Sequence, residues 1–141
     1  MSSLSFTVLG HPQPQGSMQG LVSKGKVVMK SDNAAMKPWR QEVGWSALRA
    51  RSEAGCSVCW AGRHVPVAVE ILFVLAPPKG KKRFSPAVRP DLDKLVRSIF
   101  DACSGILWAD DGQVVKLTAE KVYGLPERAE IRVSLIGEKS K

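Results

Sequence analysis

Apolar and polar positions alternate near the start of the chain, in "SLSFTVLG", and this period of two predicts a strand. A Pro/Gly-rich loop follows in "HPQPQGSMQG". Two short β-prone runs in "LVSKGKVVMK" flank Lys24-Gly25 and predict a hairpin. The polar stretch "SDN" (31–33) then offers capping residues for a helix from about Ala35 or Lys37 to Ala54. Trp39, Val43 and Ala47 recur every four positions in it, with Trp45 and Leu48 nearby, and Gly55 stops it. Residues 65–75 form the strongest strand pattern, with Val67, Val69, Ile71, Phe73 and Leu75 on one face. Leu92, Leu95, Val96, Ile99 and Cys103 fall on one stripe and predict a helix over 91–104, with Phe100 at its flank and Gly105 as its stop. "QVVKLTAEKVYG" and "RAEIRVSLIGE" read as two further strands joined by the turn "GLPE". This order predicts a single α+β domain over residues 1–141, with a mixed or mostly antiparallel sheet and two main helices packed on it.

Composition narrows the classes. With 141 residues and 44% apolar positions, the chain can bury a real core. The longest apolar run, "VPVAVEILFVLA", is interrupted by Glu70 and is too short to span a bilayer. The first residues show neither a basic n-region nor a small-residue cleavage site, so the expected location is the cytoplasm, with no membrane partner. A net charge of +8 and a pI of about 9.7 favour a polyanionic partner, nucleic acid first. Three cysteines, Cys56, Cys59 and Cys103, do not make a zinc site. "CSVC" lacks a second pair, and His11 and His64 are not spaced to supply one. The pair is read as incidental thiols and Cys103 as a core residue.

The acid is gathered in two places. "RPDLDKLVRSIFDA" carries Asp91 and Asp93, and "LWADDGQVV" carries Asp110 and Asp111. Each cluster has an ordinary structural reading. Asp91 suits a helix N-cap, Asp93 gains from the helix dipole, Arg97 can pair with Asp93 or Asp101, and Asp-Gly is a common turn. The two together suggest more. If the strand after the helix runs back along it, Asp91, Asp93 and one of Asp110 and Asp111 converge. Three such carboxylates call for a hard divalent cation, and Mg²⁺ uses carboxylates, water and substrate phosphate. A metal held this way can assist attack on a phosphodiester. Residues 76–90, "APPKGKKRFSPAVRP", hold Lys79, Lys81, Lys82, Arg83 and Arg89 and no acid. They read equally as a solvated loop or as an arm that contacts phosphates. A calcium site is a weak alternative, since "DLDKL" lacks the third ligand, the mid-loop glycine and the terminal glutamate of an EF-hand loop.

These motifs resemble the RusA family of Holliday junction resolvases. The family pattern, D-L-D-[NK]-L-x-[KR]-x-x-x-D-A-L and then W-x-D-D-x-Q-V, is met at Asp91, Leu92, Asp93, Leu95, Arg97, Asp101, Ala102, Trp108, Asp110, Asp111, Gln113 and Val114. "TVLGHPQPQGSMQG" and "KPWRQEV" also resemble the family's first strand, loop and helix. The resemblance implies an α+β homodimer acting on DNA four-way junctions, with two active sites suited to paired nicks. It implies Mg²⁺ or Mn²⁺ at Asp91, Asp93 and Asp111, with Asp110 as an outer ligand, a supporting carboxylate or a turn residue. Arg97 stands where the family usually has Lys, and as a permanent cation it can neutralise phosphate charge but cannot deprotonate. Lys94 replaces a more familiar Asn and adds a cation. Asp101 is expected to hold Arg97. Lys79, Lys81, Lys82, Arg83 and Arg89 are the candidate DNA-backbone contacts. A binding module without catalysis, and a nuclease of broader taste for flaps or forks, are the competing readings.

Overall fold

A computed structural model describes residues 3–15, 18–23, 26–31, 34–56, 59–80 and 84–137. The elements in chain order are β1 (Ser3–Leu9), β2 (Met18–Ser23), β3 (Lys26–Ser31), α1 (Met36–Glu53), β4 (Val67–Leu75), α2 (Leu92–Cys103), β5 (Val114–Tyr123) and β6 (Arg128–Leu135). The architecture is α+β, as the patterning predicts. Two helices lie over a mixed four-stranded sheet of order β1-β6-β4-β5, while β2 and β3 pair separately as an antiparallel ribbon.

The centre of the sheet is β4, and its alternation shows why. Val67, Val69, Ile71, Phe73 and Leu75 are all buried on the helix side. The first four pair with residues on both neighbours, and Leu75 with β5 alone. Val69 lies between Leu117 and Val133, and Ile71 between Ala119 and Ile131. The helices close this face. Trp39, Val43 and Ala47 of α1 and Leu95, Ile99 and Cys103 of α2 join the same core, with Trp108 fully buried beside them. Glycines in the left-handed region terminate both helices: Gly55 (φ 83°) follows α1 and Gly105 (φ 85°) follows α2. Gly44 on α1 faces α2, and a Cβ there would rest 3.8 Å from the Ala102 carbonyl oxygen.

The structure corrects several local expectations. α1 is not capped by the 31–33 stretch; its N-cap is Ala35, without a side-chain cap, Ser31 ends β3, and residues 32–33 lie outside the described residues. The fourth strand starts at Val67 rather than at residue 65. β5 and β6, though consecutive, do not pair, because β4 lies between them. The 124–127 turn therefore steps over the end of β4, and the Gly124 amide donates to the Leu75 carbonyl at 2.9 Å.

One topological fact positions everything that follows. β4 and β5 are parallel neighbours, and a parallel pair needs a crossover connection. α2 is that crossover, so it runs opposite to both strands. Its N-terminus lies at the C-terminal ends of β4 and β5, and its C-terminus lies at their N-terminal ends.

Ile99 is fully buried where α2 meets the sheet. Ile99→Ala is expected to lower unfolding free energy by about 2–5 kcal/mol, measured by denaturant titration.

Candidate active site

The first acidic cluster opens α2. Asp91 occupies the N-cap position with extended backbone, yet its side chain makes no cap hydrogen bond. The expected capping role is therefore absent, and the carboxylate is left exposed. Asp93 lies in the first turn and is also exposed. The ion pairs among the described residues join His11–Glu127, Arg40–Asp101, Arg128–Glu130 and Arg132–Glu70, and use neither aspartate. Arg97 is exposed one helical turn after Asp93. Asp101 does not hold Arg97 as expected; its ion pair is with Arg40 of α1, at 3.5 Å.

Around this end of α2 the chain is tied together by groups that carried no signal in the sequence. The Lys121 ammonium on β5 donates to the Val88 and Pro90 carbonyl oxygens, both at 2.8 Å, and so fixes the end of the basic loop beside Asp91. The Gln15 amide donates to the Lys94 carbonyl at 2.9 Å, which brings the N-terminal loop onto the first turn of α2. Glu127 accepts from the His11 ring at 2.6 Å and from the Ala76 amide at 3.1 Å, joining that loop to the start of the basic one. Within the basic loop, Lys79 and Arg89 are exposed. Lys81, Lys82 and Arg83 lie outside the described residues. Phe84 is fully exposed.

The second cluster sits at the other end. After α2 the chain turns through residues 104–107, and Trp108 packs edge-on against Phe100 with ring centroids 5.5 Å apart. The Trp108 indole N–H donates to Asp111 Oδ1 at 2.8 Å. Burial pushes the Cys103 thiol up to about 12, with the nearby Asp111 charge adding to the effect. Asp111 thus stands by the last turn of α2. Asp110 has the turn role: its carboxylate accepts from the Gly112 amide at 3.0 Å and caps the 3-10 turn 111–113. A Cβ on Gly112 would stand only 2.7 Å from Asp110 Oδ2 and would push that carboxylate from its cap position. Gln113 is the least expected member. Its buried amide accepts from the Ala109 and Asp110 amides and donates to the Gly62 and Val65 carbonyls, at 2.8–3.0 Å.

The strand after α2 does run back along it, but the aspartates precede that strand. A helix of 12 residues at about 1.5 Å per residue separates the two clusters by on the order of 15 Å. Within one chain Asp91 and Asp93 share the start of α2 and Asp111 lies beyond its end. Among the described residues, no three His, Cys, Asp or Glu side chains form a group able to hold a metal ion. Cys56 and Cys59 are free and half-buried. No helix among the described residues is long and apolar enough to cross a membrane.

An α+β domain with exposed carboxylates at both ends of a crossover helix, beside a basic loop, has the makings of a nuclease. Comparison with known proteins gives the family. The family Endodeoxyribonuclease RusA matches residues 10–134, and the chain belongs to it. The chain is also 30% identical over 145 residues to the Bacillus subtilis (strain 168) protein named "Uncharacterized protein YqaN", covering 94% of this chain and 96% of that protein.

Partial burial raises Glu127, but the Ala76 amide and the His11 ring outweigh it and hold the carboxyl below its ordinary value. Stability from this pair is therefore present above the ordinary Glu range, near about pH 4.3, and is lost as the pH falls below it. Glu127→Gln is expected to flatten the acid limb of the stability curve, followed by thermal melts from neutral pH downward.

Proposed function

We propose that this protein is a metal-dependent endonuclease that acts as a homodimer and nicks DNA four-way junctions in recombination and repair. The observation that carries the proposal is the free Asp91–Asp93 pair at the start of α2, with Asp111 held at the far end of the same helix. Two carboxylates with water and phosphate can hold Mg²⁺, and the length of α2 keeps Asp111 of the same chain away from that pair. A two-fold arrangement that sets the start of α2 in one copy against the 108–113 turn of a second copy completes two equal sites.

The donor set suits Mg²⁺ or Mn²⁺: hard carboxylate oxygens, exposed and unpaired with cations among the described residues. In the completed site Asp91 and Asp93 of one copy and Asp111 of the other hold the ion. Bound there, the ion supplies an activated water and polarises the phosphodiester. Trp108 keeps Asp111 in one orientation by its indole hydrogen bond, the kind of support that metal ligands depend on. Asp110 braces the turn. Arg97 neutralises phosphate charge from the adjacent helical turn, by a bidentate contact that needs no proton transfer. Lys94, Arg89, Lys79, Lys81, Lys82 and Arg83 hold the DNA backbone and set the affinity and its salt dependence.

The test is cleavage of a labelled synthetic four-way junction beside linear duplex and a flap, with Mg²⁺ and with EDTA. Paired symmetric nicks in the junction alone are expected, lost in EDTA. Asp93→Asn is expected to lower the rate by more than the roughly 10–100-fold that loss of a ligand's supporting partner costs. Tight binding without cleavage in either metal would leave a binding module, and equal cleavage of the flap a broader nuclease.

A further inference from the structure

The basic loop serves the Asp91–Asp93 end of α2. A separate feature lies at the Asp111 end. A cavity of about 580 Å³ opens beside the 110–113 turn, lined by Arg63, His64, Asp110, Gly112 and Gln113 among others. Its volume is in the range of a small-ligand or nucleotide-sized site.

The cavity is built rather than incidental. Gln113 is buried between exposed Gly112 and half-buried Val114, and its amide bridges two turns that are far apart in sequence. It donates to Gly62 and Val65 on one side and accepts from Ala109 and Asp110 on the other. The 62–65 turn is closed by the Val65 amide on the Gly62 carbonyl at 3.1 Å. It is pinned from behind by the Ala61 amide on the Leu107 carbonyl at 2.7 Å. The tip of this rigid turn presents Arg63 and His64. His64 has φ 66°, a left-handed conformation that is strained for a residue with a side chain. Such a residue persists because its surroundings hold it, and here the surroundings are the Gln113 bridge.

We propose that Arg63 and His64 are a second phosphate-gripping element, which holds the DNA backbone against the Asp111 end of the site. The proposal rests on the nuclease reading given above. Asp110 lines the cavity and Asp111 is the next residue of the same turn; both repel an approaching phosphate, and a cation at the cavity wall offsets that repulsion. Arg63 joins none of the ion pairs among the described residues, so its guanidinium fork is available for two non-bridging phosphate oxygens. The imidazole of His64 adds a directional donor. Asp110 lines the same cavity but forms no ion pair with Arg63 among the described residues. Gln113 acts as a positioning residue: it sets the distance between the cationic tip and the carboxylate turn.

Binding of a labelled four-way junction, by fluorescence anisotropy in EDTA over a series of KCl concentrations, tests this with four proteins. They are wild type, Arg63→Ala, Arg63→Lys and His64→Gly. Glycine accepts the positive φ without strain, so His64→Gly is expected to melt at or above the wild-type temperature while binding the junction more weakly. Arg63→Ala is expected to weaken binding about tenfold and to lower the slope of log K against log salt by about one. Arg63→Lys is expected to restore the slope and part of the affinity. Wild-type affinity and slope in both Arg63→Ala and His64→Gly would overturn the proposal while leaving the nuclease reading intact. A wild-type protein that binds neither junction nor duplex would overturn both.

Discussion

Parallel strands cannot be joined by a tight turn, and this constraint governs the molecule. The β4–α2–β5 crossover forces α2 to run against its two strands. Whatever precedes α2 is thereby placed at one end of the sheet, and whatever follows it at the other. The core enforces the arrangement. Leu95, Ile99 and Cys103 of α2 are fully buried in the same cluster as Val67, Val69 and Phe73 of β4. Sliding or reversing the helix would expose that stripe and bury Asp93 and Arg97 in its place, at a cost that no surface contact could offset.

The site follows from this separation. Asp91 and Asp93 join no ion pair among the described residues, and the N-cap geometry leaves the Asp91 carboxylate without a cap hydrogen bond. Lys121, the β5 cation at this end of α2, is bound to backbone carbonyls. Asp111 is fixed by an indole that is itself fully buried. The Asp111 half is thus oriented before any ion or DNA arrives, which favours electrostatic stabilisation without reorganisation there. In the proposed dimer, activity requires association, and a lone subunit cannot cut.

Much of this was legible in the sequence, for identifiable reasons. The stripe on α2 and the alternation on β4 are burial signals, and burial is what those elements do. The W-x-D-D-x-Q-V motif marked Asp111, and it contained Gln113 and Trp108 as well, though their work as bridge and brace needed coordinates. Pairing order was not legible: nothing in β5 or β6 says that β4 inserts between them, because strand neighbours are chosen by the whole core. The Arg40–Asp101 pair was likewise hidden, since local spacing pointed to Arg97 while the partner came from α1. The distance between the two acidic clusters depended on chain direction. The expected convergence counted a returning strand but not the fact that the aspartates stand before it.

The central claim is that each site draws Asp91 and Asp93 from one copy and Asp111 from another. The direct measurement uses a heterodimer of Asp93→Asn and Asp111→Asn subunits, purified through two different tags and assayed on a labelled four-way junction with Mg²⁺. In that heterodimer one shared site receives both substitutions and the other receives neither. Each variant alone should be inactive, and the heterodimer should regain nicking of the junction on one strand. A heterodimer as inactive as its parents, beside an active wild-type dimer, would place all three carboxylates of each site in a single chain and contradict the account.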